Sequence, residues 1–353
     1  MRPTSYLMGG EFPMRRRGLT LLAISLTAAA WGCGGPSSAL NSDKHAASEA
    51  VGSTETLNLP HFTNSLGIQF VQLPTGEFDM GAPESDDWSN PDEQPVHRAR
   101  IERSFWLGVH EVTVGQYRKF VAATGYLTAA EKTGEGGYAY DARTRRLGPV
   151  PQSSWRRTGF DQDDTHPVVN VNWDDVQAFC AWLSGEEKVT YRLPTEMEWE
   201  YACRAGTSTR WSCGSKEASL VGAANICDAS LRKAYPFATW SMDWDDHYAF
   251  TAPVGSFAPN AFGLYDMHGN VFEWCADAWQ GTNYAGKSIP DPSTPDITDM
   301  RMLRGGSYLS LTLFLRSSDR VGLKSMQRNA ITGFRLARDA VGDTVPSGEK
   351  IHE

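Results

Sequence analysis

Apolar residues recur along this chain with two different periods, and the period separates strand from helix. Ile68–Leu73 and Glu77–Met80 read as strands, split by the turn Pro74-Thr-Gly76. Gly81–Pro95 is acidic and polar, a loop, and Ala99–Trp106 reads as a further strand. The period then lengthens. Thr113-Val-Gly-Gln116 has capping-box spacing, and Val114, Tyr117, Phe120 and Val121 share one helical face before Gly125. Asn172 caps a second helix, with Asp174 and Asp175 in its first turn, where the helix dipole favours acidic side chains. Its stripe is Val176, Phe179, Cys180 and Leu183, and Gly185 is placed to end it. Cys180 on that stripe reads as a core thiol. Thr195-Glu-Met-Glu198 opens a third helix, Thr195–Arg204, with Gly206 as the stop. After Gly206 the chain is mostly turns, short strands and loops for more than 100 residues. So long a stretch needs something to pin it, and metal ions are one means.

The N-terminus has another pattern. Arg15-Arg-Arg17 precedes the apolar run Leu19–Ala30, too short to span a bilayer and suited to a signal h-region. The run ends in Ala30-Trp-Gly-Cys33, which resembles a bacterial lipobox. Residues 1–33 are therefore expected to be a signal peptide lipidated at Cys33, a plain secretory signal being the alternative. The expected location is outside the cytoplasm, anchored to a bacterial membrane by lipid. Residues 34–56, rich in Ser, Ala, Gly and Glu, read as a flexible tether. Residues 57–339 form the domain, and 340–353 a polar tail.

The net charge of −9 argues against a nucleic-acid partner. The chain has 12 Trp, 12 Tyr and 33 Gly, which point to large rings held by loops and short strands. Of 6 cysteines, Cys33 leaves an odd five. Cys213 and Cys227, flanking one loop-like stretch, are the foremost disulfide candidates, although connectivity does not follow from sequence. No Cys-x-x-Cys or His-rich zinc spacing occurs.

Motifs in a fixed order carry a resemblance: Met80-Gly81, Pro95-Val-His97, Glu111-Val-Thr113, His166–Trp173, Arg192–Tyr201, Gly263–Trp274, Arg304-Gly-Gly-Ser307 and Gly333-Phe-Arg335. Together they resemble the formylglycine-generating enzyme (sulfatase-modifying factor) family from about Phe70 to Asp339. The resemblance implies an α+β, irregular fold with little regular secondary structure, distantly like C-type lectins. It also implies two calcium ions. One would be held by the Asn225 and Asp246 side chains and the Ile226 and Tyr248 carbonyls, with Asp243 and Asp245 as neighbouring candidates. The other would be held by Asp266, the Gly269 and Val271 carbonyls, and Glu273. Mixed carboxylate and carbonyl oxygens suit calcium, and Glu273 between Phe272 and Trp274 would otherwise be a costly neighbour for an aromatic core.

In one place the chain departs from the family, whose oxidases carry a cysteine pair shortly after the Gly-Gly-Ser turn. Here no cysteine follows Cys275. Ser310 stands near the first position, and Leu313, Phe314 or Leu315 at the second. Neither serine nor leucine supplies a thiolate for copper(I), so copper is not expected. A three-histidine iron site fails as well, since the spacing is absent among 8 His. His97, His166 and His268 read as structural histidines. Arg304, Arg316, Arg320 and Arg335 either line the former cleft or form structural pairs. The favoured expectation is a domain that binds a peptide, glycan or protein partner in the former substrate cleft. The alternative is an enzyme that oxidises a sulfatase cysteine by another route, or performs another oxidation.

Overall fold

The structure is a computed structural model that describes residues 56–279, 284 and 299–340. The leader with Cys33, nearly all of the tether and the tail after 340 lie outside the described residues. Strands β1 (His61–Thr63), β2 (Gln69–Leu73), β3 (Gly76–Met80), β4 (His97–Ile101) and β5 (Phe105–Gly108) come first. Helices α1 (Val114–Thr124) and α2 (Ala129–Thr133) follow, then the hairpin β6 (Gly137–Asp141) and β7 (Arg146–Val150). Next are α3 (Trp173–Glu187), β8 (Tyr191–Arg192), α4 (Glu196–Arg204) and α5 (Ala229–Ala234). The last strands are β9 (Phe272–Ala278), β10 (Met300–Arg304), β11 (Val321–Lys324), β12 (Thr332–Gly333) and β13 (Ala337–Asp339). The fold is α+β. No described helix is long and apolar enough to cross a membrane.

The predicted capping boxes form at Thr113, Asn172 and Thr195, each side chain accepting from the N3 backbone N–H. Two stops differ from expectation. α3 runs through Gly185 to Glu187 and ends on Lys188 in the left-handed region, and α4 ends on Ala205, one residue before Gly206. Cys180 is buried on α3 as expected. The predicted strand Ala99–Trp106 is broken by residues 102–104. Its first part pairs antiparallel with β3, and its second, β5, joins the five-stranded sheet β1-β2-β5-β13-β8. One run thus serves two sheets, because the turn at 102–104 redirects the chain. A four-stranded sheet, β11-β10-β9-β12, carries the C-terminal motifs, with β12 parallel to β9.

The core between these layers is partly ionic. α4 turns Glu196, Trp199, Glu200 and Cys203 inward, and all four are buried. Glu200 accepts from Arg304, from Arg204 Nε (2.8 Å) and from the backbone N–H of Gly81 (2.8 Å). Arg320 clamps Glu196 with Nε at 2.6 Å and a terminal nitrogen at 2.9 Å. Arg316 forks onto Glu93, which lies in the acidic, polar loop and is fully buried. The arginines are thus structural pairs rather than cleft lining. Paired in this way the buried charges are tolerated, while deleting one partner costs about 3–5 kcal/mol.

Asp277 sits in this ionic layer, fully buried, and accepts from the backbone N–H of Glu196 at 2.6 Å. Burial, then the nearby Glu196 and Glu198 carboxylates, push its pKa up to about 7. Its unfolded form ionises near the ordinary 3.8. Between these values the folded chain binds more protons, so Asp277 makes stability fall as pH rises through that window. Asp277→Asn keeps an acceptor for Glu196 but removes the titration. Urea midpoints of variant and parent should coincide near pH 4, and the variant should gain on the order of a few kcal/mol by pH 8. A constant difference across that range would refute the assignment.

Candidate functional site

Three motif segments meet at Gly269. Its φ of +93° is open to glycine, and an added Cβ would lie 2.1 Å from the Asn225 carbonyl oxygen. The contact brings the Asn225 loop against the turn that leads into β9. Asn270 donates its backbone N–H to that same Asn225 oxygen at 2.9 Å, Gly269 donates to Gly305 at 2.8 Å, and Tyr308 donates to Asn270 at 2.9 Å. The two predicted calcium segments and the Gly-Gly-Ser turn are therefore neighbours.

In the first calcium segment, Asp246 is the carboxylate that turns inward. Its oxygens accept the backbone N–H of Ile226 at 2.9 Å and of Tyr248 at 2.8 Å. Asp243 instead pairs with Arg232 at the surface, and Asp245 accepts from the Ser230 hydroxyl. Burial and the adjacent Asp228 push the Asp246 pKa up to about 7. The Asn225 side chain is fully buried. Its amide nitrogen donates to Phe250 O (2.8 Å) and Asn270 Oδ1 (3.1 Å), which leaves Oδ1 unpartnered.

In the second segment, Glu273 is held from one side. Arg335 gives it Nε (2.7 Å) and a terminal nitrogen (2.6 Å), and the Trp199 indole adds a donor at 2.8 Å. Asp266, at φ +59°, accepts from Gly255 N–H at 2.7 Å through Oδ2, while Oδ1 is unpartnered. Glu111 reaches the same place. Its Oε1 accepts from Asn270 at 3.1 Å, and its Oε2 is likewise unpartnered. Burial raises the pKa of both, Glu111 well above its ordinary value and Asp266 to about 6, and their mutual repulsion adds to the rise at Glu111. Glu111 was quoted in a motif but not singled out as a ligand. Its signal was a glutamate between His110 and Val112, two residues before the Thr113 cap.

Among the described residues no three His, Cys, Asp or Glu side chains gather to hold a metal alone. A cation here would therefore draw on amide and backbone oxygens as well. The unpartnered oxygens of Asn225, Asp266 and Glu111 are hard donors of the kind calcium takes. On that count the residues fit calcium, with Glu273 already matched by Arg335.

Ser310 closes the turn after Gly-Gly-Ser. Its hydroxyl accepts the Ser307 N–H at 3.0 Å, and its carbonyl accepts Cys227 N–H at 3.0 Å. Leu315 is fully buried and packs with Trp211 and Ile226. His268 Nδ1–H must donate to the Leu315 carbonyl at 2.7 Å, so Nε2 accepts from Ser212 N–H at 2.9 Å. Burial lowers its pKa to about 4, which marks a neutral structural histidine, as expected. The expected Cys213–Cys227 bridge is not formed: all five described cysteines are free, with Cys213 donating to Ser219 Oγ and Cys227 enclosed in the core. The two thiols are taken up by different surroundings.

Beside this turn lies an aromatic recess of about 490 Å³, lined among others by Ala142, Phe160, His166, Tyr248 and Phe250. Phe160 and Phe250 stack at 4.5 Å, nearly parallel, and Tyr308 meets both rings edge-on at 5.8 Å. Gly159 makes the wall possible, since a Cβ there would sit 1.7 Å from the Tyr140 carbonyl oxygen. Neither Phe160 nor Phe250 belongs to a periodic segment, so no apolar pattern marks the pair.

The family model described as "Sulfatase-modifying factor enzyme 1-like domain" matches residues 59–340. A formylglycine-generating enzyme of Streptomyces coelicolor is 34% identical, over 76% of this chain and 89% of its own. A Bos taurus protein named inactive C-alpha-formylglycine-generating enzyme 2 is 30% identical, over 78% of this chain and 90% of its own. The solved structure of PvdO from Pseudomonas aeruginosa superposes with a TM-score of 0.66 at 31% identity, covering 79% of this chain and 98% of that one. By motif order, fold and these matches, the chain belongs to the formylglycine-generating enzyme (sulfatase-modifying factor) family.

Proposed function

We propose that this protein is a binding member of the family, exported and lipid-anchored, stabilised by calcium, which holds a peptide, glycan or protein ligand in the cleft beside the Gly-Gly-Ser turn. The observation that carries this reading is the aromatic recess against Tyr308, in a segment where Ser310 and one of Leu313, Phe314 or Leu315 stand in place of thiols. Stacked rings offer a flat, low-entropy contact surface for an apolar ring or a sugar face. Oxidation of a sulfatase cysteine is the second reading, favoured by the identity to the Streptomyces coelicolor enzyme. It requires the soft thiolates that hold copper(I), which a hydroxyl and an alkyl group do not supply.

Incubation with a Cys-x-Pro-x-Arg sulfatase peptide, copper and oxygen is expected to give no aldehyde by mass spectrometry above the no-protein control. Aldehyde above that control would overturn the binding reading.

Calcium would be held by Asn225, Asp246 and the Ile226 and Tyr248 carbonyls at one place. At the other it would be held by Asp266, Glu111 and the Gly269 and Val271 carbonyls, beside Glu273, whose charge Arg335 already matches. An ion at roughly 100-fold its dissociation constant stabilises the fold by about 2.7 kcal/mol. The protein should therefore melt higher in calcium than in chelator, and Glu111→Gln should shrink that difference. Equal melting temperatures for the wild type, with no ion retained on purification, would remove calcium from the proposal.

Lipidation at Cys33 predicts that the chain, expressed in a bacterial host, partitions with membranes and that Cys33→Ala releases it. Equal partitioning of the two forms would exclude the anchor.

A further inference from the structure

We infer that the ligand of this cleft is an acid, a flat ring bearing an anionic group, with the anion seated between Arg118 and Arg156; the inference rests on the binding reading above. A second recess of about 250 Å³ adjoins the aromatic one and shares Phe160 and Asp161 with it. Arg118, Trp155, Arg156, Thr158 and Gln162 contribute to its lining.

Both guanidinium groups are held in place but not used up. Arg118, on α1, gives one nitrogen to Asp164. Arg156 lies over the Trp155 indole at 4.0 Å and gives Nε–H to Glu131 at 3.0 Å. Their side chains are 51% and 46% exposed, and their remaining terminal N–H groups take no acceptor among the described residues. Asp164 and Glu131 thus fix the forks before a ligand arrives, and less entropy is lost when one binds.

Two residues of the lining each keep one buried polar atom unmatched. Trp155 is 2% exposed, and its Nε1–H is unpartnered. Gln162 gives its amide nitrogen to the Pro167 carbonyl and to Thr251 Oγ1, both at 2.9 Å. A carbonyl only accepts, so the orientation is fixed and Oε1 is the atom left without a donor. Two guanidinium forks favour a carboxylate or similar oxyanion, which accepts two parallel N–H bonds from a fork. The exposed Asp161 at the shared edge suits an N–H or O–H on the ring side of the ligand. A cationic ligand, such as the arginine of a sulfatase peptide, would bring like charge to both forks.

Three probes with one ring and different charge test this in the full chain: indole-3-acetate, indole-3-acetamide and tryptamine, titrated with ligand-observed NMR. The acetate should bind about tenfold or more tighter than tryptamine, with the amide between them. The surface double variant Arg118→Gln/Arg156→Gln should erase most of the difference between the acetate and the amide. Phe250→Ala should weaken all three. Equal binding of the three probes, or tightest binding of tryptamine, overturns the anion while the aromatic cleft stands. Binding of none, or equal binding by Phe250→Ala and wild type, overturns the cleft reading and this inference with it.

Discussion

Charge neutralisation out of reach of water is the constraint on which the C-terminal half depends. Glu93–Arg316, Glu196–Arg320, Glu200–Arg304 and Glu273–Arg335 each join segments distant in sequence, and each pair is buried. Loops without a helical or strand ladder of their own have backbone groups to satisfy, and the arginines help to do this. Arg304 donates to the carbonyls of Ser317 and Ser318, and Arg335 to those of Gly108, Val109 and Tyr265. One guanidinium thus ties several strands of irregular chain at once. The position of α4 fixes Arg304, Arg304 ends β10 at the Gly-Gly turn, and that turn sets Tyr308 against the aromatic recess.

The parts of the fold legible in the sequence were those with local causes. Capping boxes and apolar stripes placed α1, α3 and α4, because a helix end is decided by a few adjacent residues. Their stops were less legible, since Lys188 and Ala205 adopt the left-handed region that glycine would take more easily. Ala99–Trp106 looked continuous because hydrophobicity does not reveal which sheet a strand joins. Glu93 read as part of a polar loop because its partner lies more than two hundred residues away, and only the folded chain brings Arg316 to it.

The site shows the same division. Asp266 and Glu273 were singled out from the family resemblance, yet nothing in their spacing tells that Arg335 takes both Glu273 oxygens. Phe160 and Phe250 come from two loops, and their stacking depends on the close approach at Gly159. The family fold is retained around a segment whose side chains cannot perform thiol chemistry. A shared scaffold can carry different side chains at a few positions, so the fold alone does not assign the activity.

The ionic interior also shapes how stability depends on temperature. Unfolding an apolar core raises heat capacity, because water orders around the exposed hydrocarbon, whereas exposure of polar groups lowers it. Here guanidinium and carboxylate groups emerge together with Trp199, Trp274 and Phe105. The two contributions oppose each other, so the heat-capacity increment per residue lies below that of a purely hydrocarbon core. A smaller increment flattens the stability curve, which leaves the folded state less sensitive to cooling and spreads its margin over a wider range of temperature.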